Sequence, residues 1–264
     1  MAKIKLITTI KNRKEHFLQS FPFLVSQYGS AYELVLVDYH SNDGLQDVLQ
    51  REVEFREPSF SPYLKAIYCI RLLKDYKFNL KKARNLGTSH FSVKNQIYAF
   101  TDIDTFLGMN YIHSWSEKVR KNETFVATRI QDTKAALPRR IRPEVNAGNF
   151  LLYSDDFRAI GGHDESMLKW GGGDDDLFHR LKLKGLREIN PYGENDALQY
   201  SIIHGDELRL KFLETPEKAN KEKAFAKIYS NDVFKNDDCK FLNIEYTSTI
   251  SRLETLYSVL SYSI

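Results

Sequence analysis

The 264-residue sequence is 42% hydrophobic and 28% charged, the balance of an ordinary water-soluble globular chain with room for one large core or two small ones. Its 38 basic against 35 acidic side chains leave a net charge of +3, too small to argue for nucleic acid as a partner. Two cysteines, Cys69 and Cys239, give no disulfide framework and no metal-ligand spacing, lysines and Arg13 interrupt the amino-terminal stretch so that no signal h-region forms, and no apolar run approaches the ~18–20 residues that span a bilayer, so the expected setting is cytoplasmic, with a peripheral association at the inner face of the membrane left open.

Ile4 to Ile10 is apolar and β-branched and reads as a buried strand; polar Lys11-Asn12-Arg13 follows, then a helical pattern from Glu15 through Val25. A second strand, Glu33 to Val37, ends at Asp38, and Ser41-Asn42-Asp43-Gly44 signals a turn and a short helix near Leu45 to Leu49. Arg56 to Pro62 reads as a surface loop. Ala66 to Leu72 is a third strand, Lys81 to His90 a helix, and Gln96 to Phe100 a fourth strand that delivers Thr101-Asp102-Ile103-Asp104 at its end. Thr124 to Ile130 reads as a further strand, and Asp132 to Ala147 by default as a solvated basic loop, the alternative being a lid over a phosphorylated ligand. Phe150 to Tyr153 is a short strand, and Ser154-Asp155-Asp156 caps a brief helix. Gln199 to Ile203 is a strand ending at His204, Pro216 to Tyr229 a Lys-rich helix, and the β-rich patch Asn243 to Thr249 returns to the sheet. Strands alternating with helices predict an α/β sheet, in which ligands bind outside the carboxyl ends of the strands. Lys11 to Arg13, Asp38 and Asp102/Asp104 all fall at those ends.

The most distinctive stretch is Trp170-Gly171-Gly172-Gly173-Asp174-Asp175-Asp176-Leu177-Phe178-His179-Arg180, three glycines directly before three carboxylates that open a helix. Carboxylates in a first helical turn are stabilised by the helix dipole. Leu177, Phe178 and Leu181 lie three, four and seven residues after Asp174, so Asp174 shares their inward stripe, whereas Asp176 is spaced to pair with Arg180. Asp102-Ile103-Asp104 is a D-x-D at a strand end, where alternate residues point the same way and two carboxylates can share a hard divalent ion such as Mg²⁺ or Mn²⁺. His204 is either a further ligand or the partner of a nearby carboxylate. Asp38 is either an Asx-turn residue or a ligand contact, and the two roles are compatible. Arg84 suits a diphosphate, while Lys81 and Lys82 read as the wet side of their helix. Walker A, G-x-G-x-x-G and G-x-S-x-G motifs are absent, which removes the common kinase, dehydrogenase and hydrolase readings.

Together these pieces resemble the GT-A nucleotide-sugar glycosyltransferases, and the β-1,4-galactosyltransferase family in particular. Asn12 to His16 is similar to that family's N-R-x-E-H motif. Phe78-Asn79 with Lys82, Asn85 and Gly87 resembles its F-N-x-x-K-x-x-N-x-G segment. Asp102 to Asp104 matches its D-V-D, and Trp170 to Arg180 its W-G-G-E-D-D-D-(I/L)-F-x-R. His204 falls where the family places a metal-ligating histidine. Asp38 and Ala83-Arg84-Asn85-Leu86-Gly87 also resemble the V-D-D-x-S and A-R-N-x-G patterns of bacterial family 2 glycosyltransferases. Three positions depart: the Glu before the aspartates is Gly173, an Arg is Leu80, and an aromatic pair is replaced at Asn146-Ala147.

The resemblance implies a GT-A fold, a mixed, mostly parallel sheet flanked by helices, in a single domain over residues 1–264, with a nucleotide-binding half over 1–105 and an acceptor-binding half and C-terminal extension over 106–264. It implies an inverting, metal-dependent transfer of a hexose or N-acetylhexosamine, galactose or N-acetylgalactosamine favoured, from a UDP-sugar to a hydroxyl of a saccharide or glycolipid acceptor, in surface polysaccharide or glycan synthesis. Asp174 would be the catalytic base, and Asp104 and His204 would hold Mn²⁺ (or Mg²⁺). Thr9, Lys11, Arg13, Asp38, Arg84, Asp102, Asn149, Trp170, Gly172 and Asp175 would contact donor or acceptor. The rivals are a sugar nucleotidyltransferase, which lacks its Gly-rich loop here, and a non-catalytic carbohydrate- or nucleotide-sugar-binding protein.

Overall fold

The computed structural model describes residues 3–72, 78–89, 94–128, 131–132, 148–167, 172–189, 199–202, 246–249 and 257–262, of which 131–132, 246–249 and 257–262 are described by backbone alone. The amino-terminal part alternates β1 (Lys3–Ile10), α1 (Lys14–Val25), β2 (Tyr32–Asp38), α2 (Leu45–Arg56), β3 (Leu64–Leu72), α3 (Leu80–Ser89) and β4 (Gln96–Asp102). It continues through β5 (Thr105–Leu107), α4 (Tyr111–Ser116), β6 (Thr124–Ala127), β7 (Gln131–Asp132), β8 (Phe150–Tyr153), α5 (Ser154–Ala159), α6 (Gly173–Leu183), β9 (Arg187–Ile189) and β10 (Gln199–Ser201). Strands β11 (Tyr246–Thr249) and β12 (Tyr257–Tyr262) close the described chain. The helix expected at Pro216 to Tyr229, and most of the basic stretch Asp132 to Ala147, lie outside the described residues.

The strands form one nine-stranded sheet in the order β11-β12-β3-β2-β1-β4-β8-β6-β9, beside a small sheet β5-β10-β7. From β12 to β4 every neighbouring pair is parallel; β8 joins antiparallel to β4 and β6 to β8. This is the α/β sheet that the alternation of elements predicts, mixed and mostly parallel as the resemblance implies, and the tail returns to it with β12 beside β3 and β11 at the edge.

Period-2 alternation divides the core between the two faces. Ile4, Leu6, Leu34, Leu36, Ile97 and Ala99 pack with Phe17, Phe21 and Leu24 of α1, Leu45, Leu49 and Val53 of α2, and Trp115 of α4. Ile7, Val35, Val37, Tyr98 and Phe100 pack with Ala83 and Leu86 of α3, Phe157 of α5, and Leu177, Phe178 and Leu181 of α6. Burial of those side chains is the hydrophobic term that holds the layers together, roughly 1.5–3 kcal/mol for each fully buried large side chain. Helix α2 is longer than the turn signal suggests. Leu45, Leu49 and Val53 continue a four-residue apolar spacing to Arg56, and a single 3₁₀ turn, Glu57–Ser59, then leads to β3. No helix among the described residues is long and apolar enough to cross a membrane.

Candidate active site

The site is built on α3, whose inward face is polar. Lys81, Arg84, Asn85 and Thr88 are all buried and spaced i, i+3, i+4 and i+7, one face of a helix. The expectation that Lys81 lies on the wet side of this helix is overturned: only 3% of it is exposed. The helix comes close to the sheet because residue 87 is glycine. A Cβ there would stand 2.7 Å from Ile7 Cγ2 and 3.0 Å from Val37 Cγ2. That proximity drives the polar face of α3 against the end of β4.

Arg84 is the junction. Its Nη1 donates to Asp174 Oδ1 at 2.6 Å, and its Nη2 to Asp102 Oδ1 at 2.9 Å and to the Gly148 carbonyl at 3.0 Å. Its guanidinium also lies 5.6 Å from the centre of the Phe150 ring. One buried fork thus joins the last residue of β4 to the first turn of α6. Burial works against the Arg84 charge, and the Asp174 and Asp102 carboxylates more than restore it, so its proton is held more tightly than usual. Gly148 belongs to this junction. A Cβ there would meet Asp102 Oδ2 and stand 2.6 Å from Arg84 Nη2, so only a bare backbone fits over the pair.

Asp102 follows Tyr98 and Phe100 on the α3 side of the sheet, as strand alternation requires. Burial pushes its carboxyl up to about 6, a rise that Arg84 opposes and that Asp104 and Asp174 reinforce. Although 32% of its side-chain surface still meets solvent, the carboxyl group is walled by Gly148 and Arg84, and the direction follows that enclosure. Asp104 differs from the expected geometry: β4 ends at Asp102, and residues 103–104 form the turn into β5. The two carboxylates approach one another through a turn rather than through strand alternation. A hard cation fits this set, because the donors are carboxylate oxygens whose mutual repulsion raises the proton affinity of Asp102. Among the described residues no three His, Cys, Asp or Glu side chains are grouped as a complete ligand set. His204 lies outside the described residues; two positions before it, Ile202 N donates to the Asp104 carbonyl at 2.7 Å.

Helix α6 begins as the glycine–aspartate pattern predicts. Gly172, at φ 70°, occupies the left-handed cap position that favours glycine, and Asp176 N donates to its carbonyl. Leu177, Phe178 and Leu181 are buried, and Asp174 on the same stripe reaches Arg84. Asp175 is half-buried. Asp176 is fully buried and takes Nε and Nη2 of Arg180 at 3.0 and 2.6 Å, the structural pairing its spacing implies. Arg180 Nη1 meanwhile donates to the carbonyls of Ile160 and Gly162. Trp170 lies outside the described residues.

The loop before α6 is fixed by the asparagines of the Phe78-Asn79 to Gly87 segment. Asn85 Nδ2 donates to the His163 carbonyl and to Glu165 Oε1, each at 2.9 Å, and its Oδ1 accepts His163 N at 2.9 Å. Asn79 Nδ2 donates to the Glu165 carbonyl at 2.8 Å. His163, fully buried among Phe100, Phe150 and Phe157, is kept neutral by burial and by the nearby charges of Arg84, Arg180 and Lys81. Neither asparagine was assigned a role from sequence; their signal was the segment's spacing.

At the other end of the site the chain ends of β1 and β2 are knitted together. Lys11 Nζ donates to the His40 carbonyl at 2.8 Å, and Asn12 N to Ser41 Oγ at 3.0 Å. Arg13 Nη1 approaches His16 Nε2 at 3.5 Å. Asp38 shares the parity of Leu34 and Leu36, so its carboxylate lies on the α1/α2 face, away from Arg84. It accepts Ser41 N at 2.7 Å and Gln46 Nε2 at 2.9 Å. Thr9 is beside Asp102 in the sheet register. Asn149 is fully buried: its Oδ1 accepts Asp102 N at 2.8 Å and its Nδ2 donates to Gln199 Oε1 at 2.9 Å. Its amide is committed to holding β4 and β10 together.

The family described as N-terminal domain of galactosyltransferase matches residues 134–204, a stretch that includes α6. No curated protein matches the chain. Among solved structures, the chain is similar to a mutant of Drosophila β-1,4-galactosyltransferase 7 in complex with manganese, UDP-Gal and xylobiose, at 14% identity and TM-score 0.57 over 100% of this chain and 94% of that one. It is also similar to S. aureus TarS in complex with UDP-GlcNAc, at 12% identity and TM-score 0.61 over 89% of this chain and 67% of that one. A mannosyltransferase from Pyrobaculum calidifontis in complex with GDP-Man and Mn²⁺ gives 12% identity and TM-score 0.61, over 86% of this chain and 63% of that one. The chain has the GT-A glycosyltransferase fold.

Proposed function

We propose that this GT-A chain is an inverting, metal-dependent glycosyltransferase that moves a hexose or N-acetylhexosamine from a UDP-sugar to a hydroxyl of a saccharide acceptor. The observation that carries the reading is the Arg84 fork, which sets the carboxylate of Asp174, at the start of α6, across from that of Asp102, at the end of β4. A nucleophile-activating base and a donor-binding carboxylate set across from one another are what a direct displacement needs. The solved neighbours that contain UDP-Gal with manganese and xylobiose, UDP-GlcNAc, or GDP-Man with Mn²⁺ support a nucleotide-sugar donor and a divalent ion.

Arg84 occupies Oδ1 of Asp174; Oδ2, which takes no hydrogen bond among the described residues, is the oxygen that would accept the acceptor's proton. As the acceptor oxygen bonds to the anomeric carbon, the bond from that carbon to the diphosphate oxygen breaks, and the diphosphate leaves with the electron pair. A base so positioned is typically worth ~10²–10⁴-fold in rate. Asp104 and His204, with Asp102, would hold Mn²⁺, which when bound neutralises charge on the departing diphosphate. Thr9, Lys11, Arg13 and Asp38 would border the uridine diphosphate; Asp175 would grip an acceptor hydroxyl, and Trp170 beside Gly172 would stack on sugar. Asp174→Asn is expected to abolish transfer while UDP–Mn²⁺ binding, followed by calorimetry, stays within about twofold of the unaltered protein, because the change is isosteric, leaves an oxygen to accept from Arg84 Nη1 and removes the carboxylate that takes the proton. Turnover that survives in that variant overturns the assignment.

A further inference from the structure

We propose that Lys81 is a positioning residue for Asp174: its hydrocarbon stem takes the space of a side chain at position 173, which sets its ammonium beside the first turn of α6, where its charge adds to that of the Arg84 guanidinium paired with the Asp174 carboxylate. This rests on the assignment of Asp174 as the base.

The first observation is steric. A Cβ on Gly173 would stand 2.5 Å from Lys81 Cε and 3.2 Å from its Cγ, so the lysine stem lies where a larger residue at the start of α6 would put its side chain. The glycine that departs from the galactosyltransferase pattern is therefore matched by a lysine on the facing helix. The second is electrostatic. Lys81 lies in a field made by Asp174 and Asp176 of α6, Asp164 of the preceding loop, and Arg84 on its own helix. Asp176 is already neutralised by Arg180, and Arg84 is divided between Asp174 and Asp102. Lys81 is thus a second cation near Asp174, whose ion-pair partner is Arg84. Without it, the Asp174 carboxylate is left with the Arg84 guanidinium, which it shares with Asp102. Burial lowers the Lys81 pKa to about 8, with Asp174 the leading opposing charge, so this cation is lost within a range that kinetics can reach.

The test uses the full chain with Lys81→Met, which keeps the stem and removes the charge, and Lys81→Arg, which keeps the charge. With folding verified by circular dichroism, Lys81→Met is expected to lower kcat at pH 7 about tenfold, one pK unit of interaction, with KM for the UDP-sugar unchanged. The unaltered rate is expected to converge on that of Lys81→Met as pH rises through about 8, and Lys81→Arg to hold its rate past that point. Equal rates for Met and Lys at pH 7 overturn the proposal, as does a Met variant that loses donor affinity instead of kcat. If Lys81→Met fails to fold, an unaltered enzyme with no alkaline fall in rate overturns it equally. A readout independent of turnover separates the two readings. In ¹³C-lysine-labelled protein, the Lys81 midpoint is expected to fall in Asp174→Asn, because the Asp174 charge raises it. An unchanged midpoint overturns the coupling, whereas a moved midpoint in a chain without transferase turnover leaves Lys81 coupled and removes the transferase reading alone.

Discussion

Arg84 joins the carboxylates of Asp102 and Asp174 through one side chain, and Gly148 leaves the room for it to do so. Gly148→Ala would place a methyl group against Asp102 Oδ2 and Arg84 Nη2. Neither partner can retreat, since Arg84 is pinned by Asp174 and the Asp102 main chain by Asn149. The expected result is a fall in turnover of tenfold or more with weaker UDP–Mn²⁺ binding by calorimetry, and a stability loss of about 1–3 kcal/mol in urea from overpacking. A variant as active as the parent would show that the Arg84–Asp102 contact is dispensable. Arg84, Asp102 and Asp174 were each legible in the sequence, from motif and stripe. Their union through one guanidinium was not, because the two carboxylates lie 18 and 90 positions from Arg84 along the chain and only packing brings them together. Lys81 was misread for a different reason. Inward faces are recognised by apolar periodicity, and on α3 the same i, i+3, i+4, i+7 period is written in Lys, Arg, Asn and Thr.

At the scale of elements, α3 serves as a bracket between the sheet and the loop that launches α6. Gly87 sets its distance from β1 and β2, Arg84 its attachment to β4, and Asn79 and Asn85 its grip on residues 163–165. Asn85→Ala removes a side chain that makes three hydrogen bonds of 2.9 Å to that loop and leaves buried backbone groups of His163 unpaired. The expected cost is about 1–3 kcal/mol in urea denaturation. The informative part is local: amide hydrogen exchange should rise in the loop and first turn of α6 before it rises in the sheet. Uniform loss of protection would mean that Asn85 supports the whole core rather than this loop. The strands themselves were readable from β-branched runs, and their parallel order from the intervening helices. The antiparallel insertion of β8 between β4 and β6 was not, since nothing local distinguishes it. The end of β4 shows the limit of strand alternation as a guide: it places Asp102 correctly and fails at Asp104, where the chain has already turned.

At the scale of the whole molecule, the site carries charge that the fold would be more stable without. A buried lysine whose pKa is depressed from 10.5 to about 8 marks a folded state that prefers the neutral form. The sign follows from linkage: the contribution is fully present above pH 10.5, and is lost as pH falls through about 8. At neutral pH the protonated Lys81 therefore lowers global stability, by an amount on the order of 1–3 kcal/mol. Lys81→Met keeps the packing of the stem against Gly173 and removes this cost. Arg84 and Arg180 remain to pair Asp174 and Asp176, so neither of these two carboxylates loses its ion-pair partner. The expected outcome is a variant with a higher urea midpoint than the parent at pH 7, with the two midpoints drawing together as pH is raised from 8 toward 10.5. Coupled to the slower turnover expected of the same variant, this is the opposition of stability and activity that a charge retained for its function produces. A lower midpoint for Lys81→Met at pH 7 would reverse the argument and make the lysine a structural counter-ion.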